Sequence, residues 1–323
     1  MSSKVLVTGA AGFIGSHLTE FLLAQGLEVL GVDNFDPFYP RAVKEANMGA
    51  FRNDPNFEFF ELDLLDAQAL QGLPPFDTVV HLAAKAGVRP SIQDPQGYID
   101  VNITATHRLL QLCVKRSVKK IAFASSSSIY GNSKHIPFIE EGHEYEPISP
   151  YAFTKRSCEL MNYTYHHLYK LDIVNMRFFT VYGPRQRPDL AIHKFVKKLS
   201  MGESIEMYGD GSTSRDYTFV SDTVAGIYGV LTYLWRNEGV YEIVNLGNNK
   251  PVRLSHLIEI IGNALETVPI INCLPMQEGD VDITFADIEK AKRMLGYNPD
   301  VSIEEGVQRF VKWYRTPSLA SRE

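Results

Sequence analysis

The chain has 323 residues, 45% of them hydrophobic and 22% charged, which suits about two ordinary globular domains and argues against a disordered protein. A net charge of −6 leaves no general basic field for nucleic acid, so an anionic ligand has to be held by local arginines. No apolar run reaches the roughly 18 residues of a membrane span, and "MSSKVLVTGA" enters a strand pattern without the apolar region of a signal peptide, so a cytoplasmic protein is expected.

The first elements are strand, helix, strand. "KVLVTGAAGFIGSHLTEFLLAQGLEVLGVD" passes from a short apolar strand through three glycines into an amphipathic helix, and ends on a second apolar strand closed by Asp33. Gly9 and Gly12 permit a tight turn and close backbone approach to a pyrophosphate, while Gly15 lets the helix pack on the strand with its first amides facing the anion. The spacing is Gly-x-x-Gly-x-x-Gly, and its position between strand and helix carries the signal. Asp33 lies about 20 residues on, where an acid accepts from the adenosine ribose hydroxyls and repels a 2′-phosphate. With Asn34 next and no arginine before Arg41, NAD is favoured over NADP. The plain alternative is an Asp that merely ends a strand.

Further strands are expected at "FEFFELDL", "DTVVHLAA", "KKIAFASS" and "LDIVNMRFF", separated by segments of helix length. The alternation implies a doubly wound parallel Rossmann sheet with ligands at the strands' C-terminal ends, which makes Asp63, Ala83, Ala84, Ser125 and Ser126 candidates by position. From about Val181 the rhythm weakens, so residues 1–180 are read as the dinucleotide domain. Residues 181–323 form a smaller mixed α/β domain, with part of about 218–247 open to rejoin the first. Cys113, Cys158 and Cys273 are scattered, as expected of core thiols in a reducing compartment. His166 and His167 are adjacent and point apart on a helix, and no metal is expected.

Two Tyr-x-x-x-Lys pairs occur, Tyr130/Lys134 in "YGNSK" and Tyr151/Lys155 in "SPYAFTK". Gly131, Asn132 and Ser133 favour a turn and would not hold the first pair on one face. Ser149 before Pro150 has the form of an N-cap and first helical residue, and no Gly or Pro interrupts the run to Tyr169. Tyr151 and Lys155 are therefore expected one helical turn apart.

"TGAAGFIG", "HLAA", "SSSSIYG", "YAFTK", "RFFTVYGP", "SRDYTFVSD" and "EGDVDITFAD" follow one another in an order that resembles the extended short-chain dehydrogenase/reductase family, specifically its nucleotide-sugar epimerases. The resemblance covers nearly the whole chain. It implies a catalytic trio of Ser126, Tyr151 and Lys155, and adds Phe13, Ile14, Leu64 and Asn102 to the NAD contacts. A free phenol, with a pKa of about 10, is a poor base at neutral pH. An ammonium about 4 Å away at an effective dielectric near 20 offers roughly 4 kcal/mol before desolvation, enough to make Tyr151 a working base.

Related dehydratases and decarboxylases carry acids just after the catalytic serine or threonine, where this chain has Ser127 and Ser128, so the resemblance points to epimerisation. It also places Arg215 on the nucleotide diphosphate and Asp280 on the uridine ribose, with Gln277 where several relatives have a phosphate-binding arginine. "FFTVYGPRQRPDLA" and "KAGVRPS" are similar to the UDP-glucuronate 4-epimerase branch, which implies that Thr180 and Arg187 meet the sugar carboxylate and that Arg89 shapes the site. Binding a phosphate, or facing solvent, stays open for Arg187. Thr180, Arg187, Ser127 and Ser128 are expected to hold that carboxylate near the plane of a 4-ketone. The expected activity is NAD-dependent 4-epimerisation of UDP-glucuronate. The alternatives are a UDP-glucose or UDP-N-acetylglucosamine 4-epimerase and a non-catalytic nucleotide-binding scaffold. A homodimer through helices near residues 98–116 and 150–170 is implied by the resemblance alone.

Overall fold

The computed structural model describes residues 4–142, 145–276 and 281–316. Seven strands form one parallel sheet: β1 (Lys4–Thr8), β2 (Glu28–Asp33), β3 (Phe57–Glu61), β4 (Thr78–His81), β5 (Lys120–Ser126), β6 (Asp172–Phe178) and, from late in the chain, the strand Tyr241–Leu246. Their spatial order is β3-β2-β1-β4-β5-β6 followed by that last strand. The winding direction therefore reverses between β1 and β4, and a crevice opens there at the strands' C-terminal ends.

Neighbouring residues of each central strand serve two different cores. Val5, Val29, Val80, Ala122 and Val174 pack on one face, whereas Leu6, Leu30, Val79, Ile121 and Ile173 pack on the other. Burial on both faces explains why these strands read as continuous apolar runs. The helix Phe13–Ala24 covers the first face through Leu18 and Leu22, and the helix Ala105–Arg116 covers the second through Leu109 and Cys113. The helix Val220–Arg236 also lies on the first face, immediately ahead of the seventh strand.

Two small sheets complete the chain. In the first, β7 (Thr180–Tyr182) pairs parallel with β9 (Ser214–Phe219), which pairs antiparallel with β11 (Pro251–Arg253). In the second, β8 (Ile205–Tyr208) pairs parallel with β12 (Ile271–Leu274), and the seventh strand of the large sheet is β10 in chain order. Buried Asp216 ties these parts together by accepting from the amides of Asn248 at 2.7 Å, Asn249 at 3.0 Å and Ala286 at 3.0 Å. Cys113 and Cys158 are buried, but Cys273 is exposed. β12 is a short edge strand whose residues face outward, so the expectation of a third core thiol fails there.

The helix Pro150–Tyr169 begins as expected, with the Ser149 hydroxyl accepting from Ala152 N at 3.2 Å. Glu159, fully buried on this helix, accepts from Ser125 Oγ at 2.7 Å on β5, from Arg177 Nε at 2.9 Å and Nη2 at 2.8 Å on β6, and from Arg156 Nη1 at 3.0 Å. Tyr130 is a core residue stacked under the Arg177 guanidinium, and Lys134 is exposed, so the Tyr130/Lys134 pair is incidental. Replacing Glu159 with Ala strands a buried guanidinium, and we expect a loss of about 3–5 kcal/mol in urea unfolding. A loss below about 1 kcal/mol would mean that the pair is not what fixes this helix.

Candidate functional site

The crevice is walled by the glycine turn, the ends of β1, β2, β4 and β5, the start of the helix Pro150–Tyr169, and Phe178 to Val181 with Arg187. Gly9, Gly12, Phe13, Ile14, Gly15, Asp33, Asn34, Asp63, Leu64, Ala83, Ala84 and Ser125 all reach this wall, as do Ser126, Tyr151, Lys155, Thr180 and Arg187. Gly9 has φ +75°, and a Cβ on Gly15 would stand 2.0 Å from Gly9 O. The helix Phe13–Ala24 starts at Gly12 with no side-chain cap, so its first amides meet no competing side-chain acceptor.

At the far end of β2, Asp33 accepts from Ala11 N at 3.3 Å and Phe35 N at 2.8 Å, with Lys44 Nζ 3.5 Å away. Asn34 donates to Asp63 at 3.0 Å. Asn102 is not part of this wall. It is buried in a π-helical turn, Ile99–Thr104, behind the wall, where it accepts from Lys85 N at 2.9 Å and donates to Lys85 O at 3.0 Å and Thr154 Oγ1 at 2.9 Å. It braces the backbone of Lys85, directly after Ala83 and Ala84 on the wall.

At the opposite end, Ser126 Oγ donates to Ser128 Oγ at 3.1 Å and accepts from Ser128 N at 3.2 Å. Ser127 opens the same short 3-10 turn, Ser127–Tyr130. Burial raises the Tyr151 phenol above its ordinary value, opposed by a hydrogen bond with Ser126 and by the charge of Arg187. Burial pushes the Lys155 amine down to about 8, and its Nζ donates to Ala124 O at 2.8 Å. Tyr151, Lys155 and Arg187 line the same wall, and the Arg187 charge opposes the upward shift of the phenol. Lys155 turns toward the end of β5, where Ala124 O takes one of its donors. Burial works against the Arg187 charge too, but the Asp189 carboxylate outweighs it by accepting from Nε at 2.9 Å and Nη2 at 2.7 Å.

Residues 6–310 match the profile of the family described as GDP-mannose 4,6 dehydratase. The chain belongs to this family. It is 44% identical over 314 residues to a UDP-glucuronate 4-epimerase of Thermodesulfobacterium geofontis, covering 95% of each protein. It is also similar to the solved structure of UDP-glucuronic acid 4-epimerase from Bacillus cereus in complex with UDP-glucuronic acid and NAD, with TM-score 0.90, 35% identity, and coverage of 96% of this chain and 98% of that one. A UDP-N-acetylglucosamine 4-epimerase from Methanobrevibacter ruminantium is similar at TM-score 0.88 and 33% identity, over 97% and 99% of the two chains.

Arg89 and Arg215 do not line this crevice. The Arg89 guanidinium stands 5.0 Å from the Tyr208 ring centre, and Arg215 Nη1 donates to Ser214 O at 3.0 Å. Asp280 and Gln277 lie outside the described residues. Among the described residues no cluster of His, Cys, Asp and Glu is arranged to hold a metal. The reading from sequence missed Tyr39 and Lys44, which line the crevice, and Asp189, which pairs with Arg187. No local pattern marks Lys44, whereas Asp189 was visible as the second residue after Arg187 in "RPD".

A depressed lysine has a definite consequence for stability. From about pH 8 upward folded Lys155 sheds its proton while the unfolded chain keeps its own to about 10.5, so stability rises across that window. Measured against Lys155→Met, the unfolding free energy of the free protein should improve by up to roughly 3 kcal/mol between pH 7.5 and 10. Parallel pH profiles for the two proteins would show that the amine is not depressed.

Proposed function

We propose that this protein is an NAD-dependent UDP-sugar 4-epimerase that interconverts UDP-glucuronate and UDP-galacturonate through a 4-keto intermediate. The observation that carries the choice of sugar is Arg187, a guanidinium on the same wall as Tyr151, Ser126 and Thr180. A planar cation there suits a carboxylate at carbon 6 and has no comparable partner in a hydroxymethyl group. The glycine turn fits a dinucleotide, because the absence of a side chain on Gly15 lets the helix close against the backbone of Gly9 and the uncapped amides suit a pyrophosphate. Asp33 would take the ribose hydroxyls, and Lys155 lies at the nicotinamide end.

When bound, NAD supplies the hydride acceptor and donor for carbon 4. Tyr151 takes the proton from oxygen 4, assisted by the positive charges around it, and returns it after the keto sugar turns. Ser126 steadies that oxygen. Ser127 and Ser128 offer hydroxyls where a dehydratase needs an acid and a base, which supports epimerisation within this family. Thr180, Arg187 and those two hydroxyls would hold the carboxylate near the ketone plane and so hinder loss of carbon dioxide from a β-keto acid.

Residues 1–180 would hold NAD and residues 181–323 the UDP-sugar, except that the helix Val220–Arg236 and β10 lie on the large sheet. Arg89, Arg215 and Asp280 are proposed on the nucleotide. A cytoplasmic homodimer is proposed as well, and Phe153, Leu160, Tyr163 and Leu168 leave an exposed apolar stripe along one helix for its interface. Sedimentation should give twice the 36.4 kDa of one chain, and a single-chain mass at assay concentration would dismiss the dimer.

Product analysis tests the function. Purified enzyme given UDP-glucuronate should yield UDP-galacturonate without net redox change, and Tyr151→Phe should keep NAD while losing roughly 10²–10⁴-fold in turnover. Arg187→Ala should weaken UDP-glucuronate by roughly 1.5–3 kcal/mol and leave UDP-glucose nearly unaffected. Equal losses on both sugars would favour the second reading, a neutral-hexose 4-epimerase. One observation already speaks for that reading: Asp189 occupies two donors of Arg187.

A further inference from the structure

Arg187 and Asp189 are separated only by Pro188, whose ring fixes its own backbone angle and so restricts how the two side chains can part. The Asp189 carboxylate meets the guanidinium fork on one edge, at Nε and Nη2, and Nη2 also reaches Ala86 O at 3.4 Å. Among the described residues no hydrogen bond is made by Nη1. The arginine side chain is 16% exposed and lies on the crevice wall, while the aspartate side chain is 35% exposed and does not line it. A ligand in the crevice therefore meets a neutral ion pair, not a lone cation. A guanidinium can bind two carboxylates on its two edges, but those carboxylates then repel each other through a partly dry site.

We propose that Asp189 is a specificity-determining residue that tempers the attraction of Arg187 for an anionic group at carbon 6, so that uncharged hexoses compete with uronates for the same crevice. This rests on the reading of Arg187 as the arginine facing carbon 6. Asp189 acts through Arg187 and touches no reacting atom. If it served only to hold Arg187 in place, its removal would weaken uronate binding. If it tempers the charge, its removal strengthens uronate binding, and the two roles differ in sign.

The experiment uses NAD-loaded enzyme and calorimetric titration with UDP-glucuronate and with UDP-glucose, on the wild type, Asp189→Asn and Asp189→Ser. Both variants should bind UDP-glucuronate about tenfold more tightly than the wild type does, with UDP-glucose within about twofold, as expected for lifting one like-charge repulsion at an effective dielectric near 20 and partial exposure. Asn and Ser differ in shape and hydrogen bonding but share the loss of charge, so a gain in one variant alone overturns the proposal. Unchanged or weakened uronate binding in both also overturns it. The outcome is separable from the function itself. A wild type that converts no UDP-glucuronate removes the proposed substrate whatever the variants bind, whereas a converting wild type with no gain in the variants removes only the role of Asp189.

Discussion

The carboxylate of Glu159 is the point on which the site's geometry depends. It sits one turn beyond Lys155 on the helix that carries Tyr151, and it binds a hydroxyl from β5 and a guanidinium from β6. A buried charge of this kind is tolerable only when its oxygens are fully engaged, so the helix and the two strands cannot shift independently. Ser125 is held by Glu159, and Ser126 follows it directly. The serine and the tyrosine of the crevice are thereby registered to one another by an interaction that neither of them makes.

The crevice divides its chemistry along its length. At one end stand uncapped amides and the carboxylate of Asp33, with the Lys44 ammonium 3.5 Å from the acid. At the other end burial raises the phenol of Tyr151 and depresses the amine of Lys155, so both groups are biased toward their neutral forms. From beyond β7 the fold brings Arg187 to the same wall, where its charge opposes the upward shift of the phenol. The same guanidinium is the group suited to a sugar carboxylate. Asp189 engages that guanidinium along one edge, through Nε and Nη2.

Much of this was legible in the chain. The glycine turn, the two-faced strands and the N-capped helix each depend on residues within a few positions of one another, through backbone preferences and periodicity. Tyr151 could be told from Tyr130 for the same reason: one follows Ser-Pro and the other precedes Gly-Asn-Ser. The role of Asn102 was not legible in the chain, because a buried amide can face a ligand or a neighbouring backbone equally well, and its contacts with Lys85 and Thr154 appear only in the folded chain. Cys273 was misread because exposure of a short edge strand follows from what fails to cover it.

The sequence by itself determined a doubly wound parallel sheet, a dinucleotide turn, and a tyrosine and lysine on one helical face. Tertiary structure alone decided which charge meets which group. Arg187 reaches the backbone of Ala86 across 101 positions of the chain, and Lys44 arrives beside Asp33 from a separate helix. The strand that closes the large sheet, β10, returns to it after β7, β8 and β9 have gone to the small ones. Local order is encoded in a few torsions and side chains, but electrostatics depends on distance in space. That distance is set only when the elements have packed.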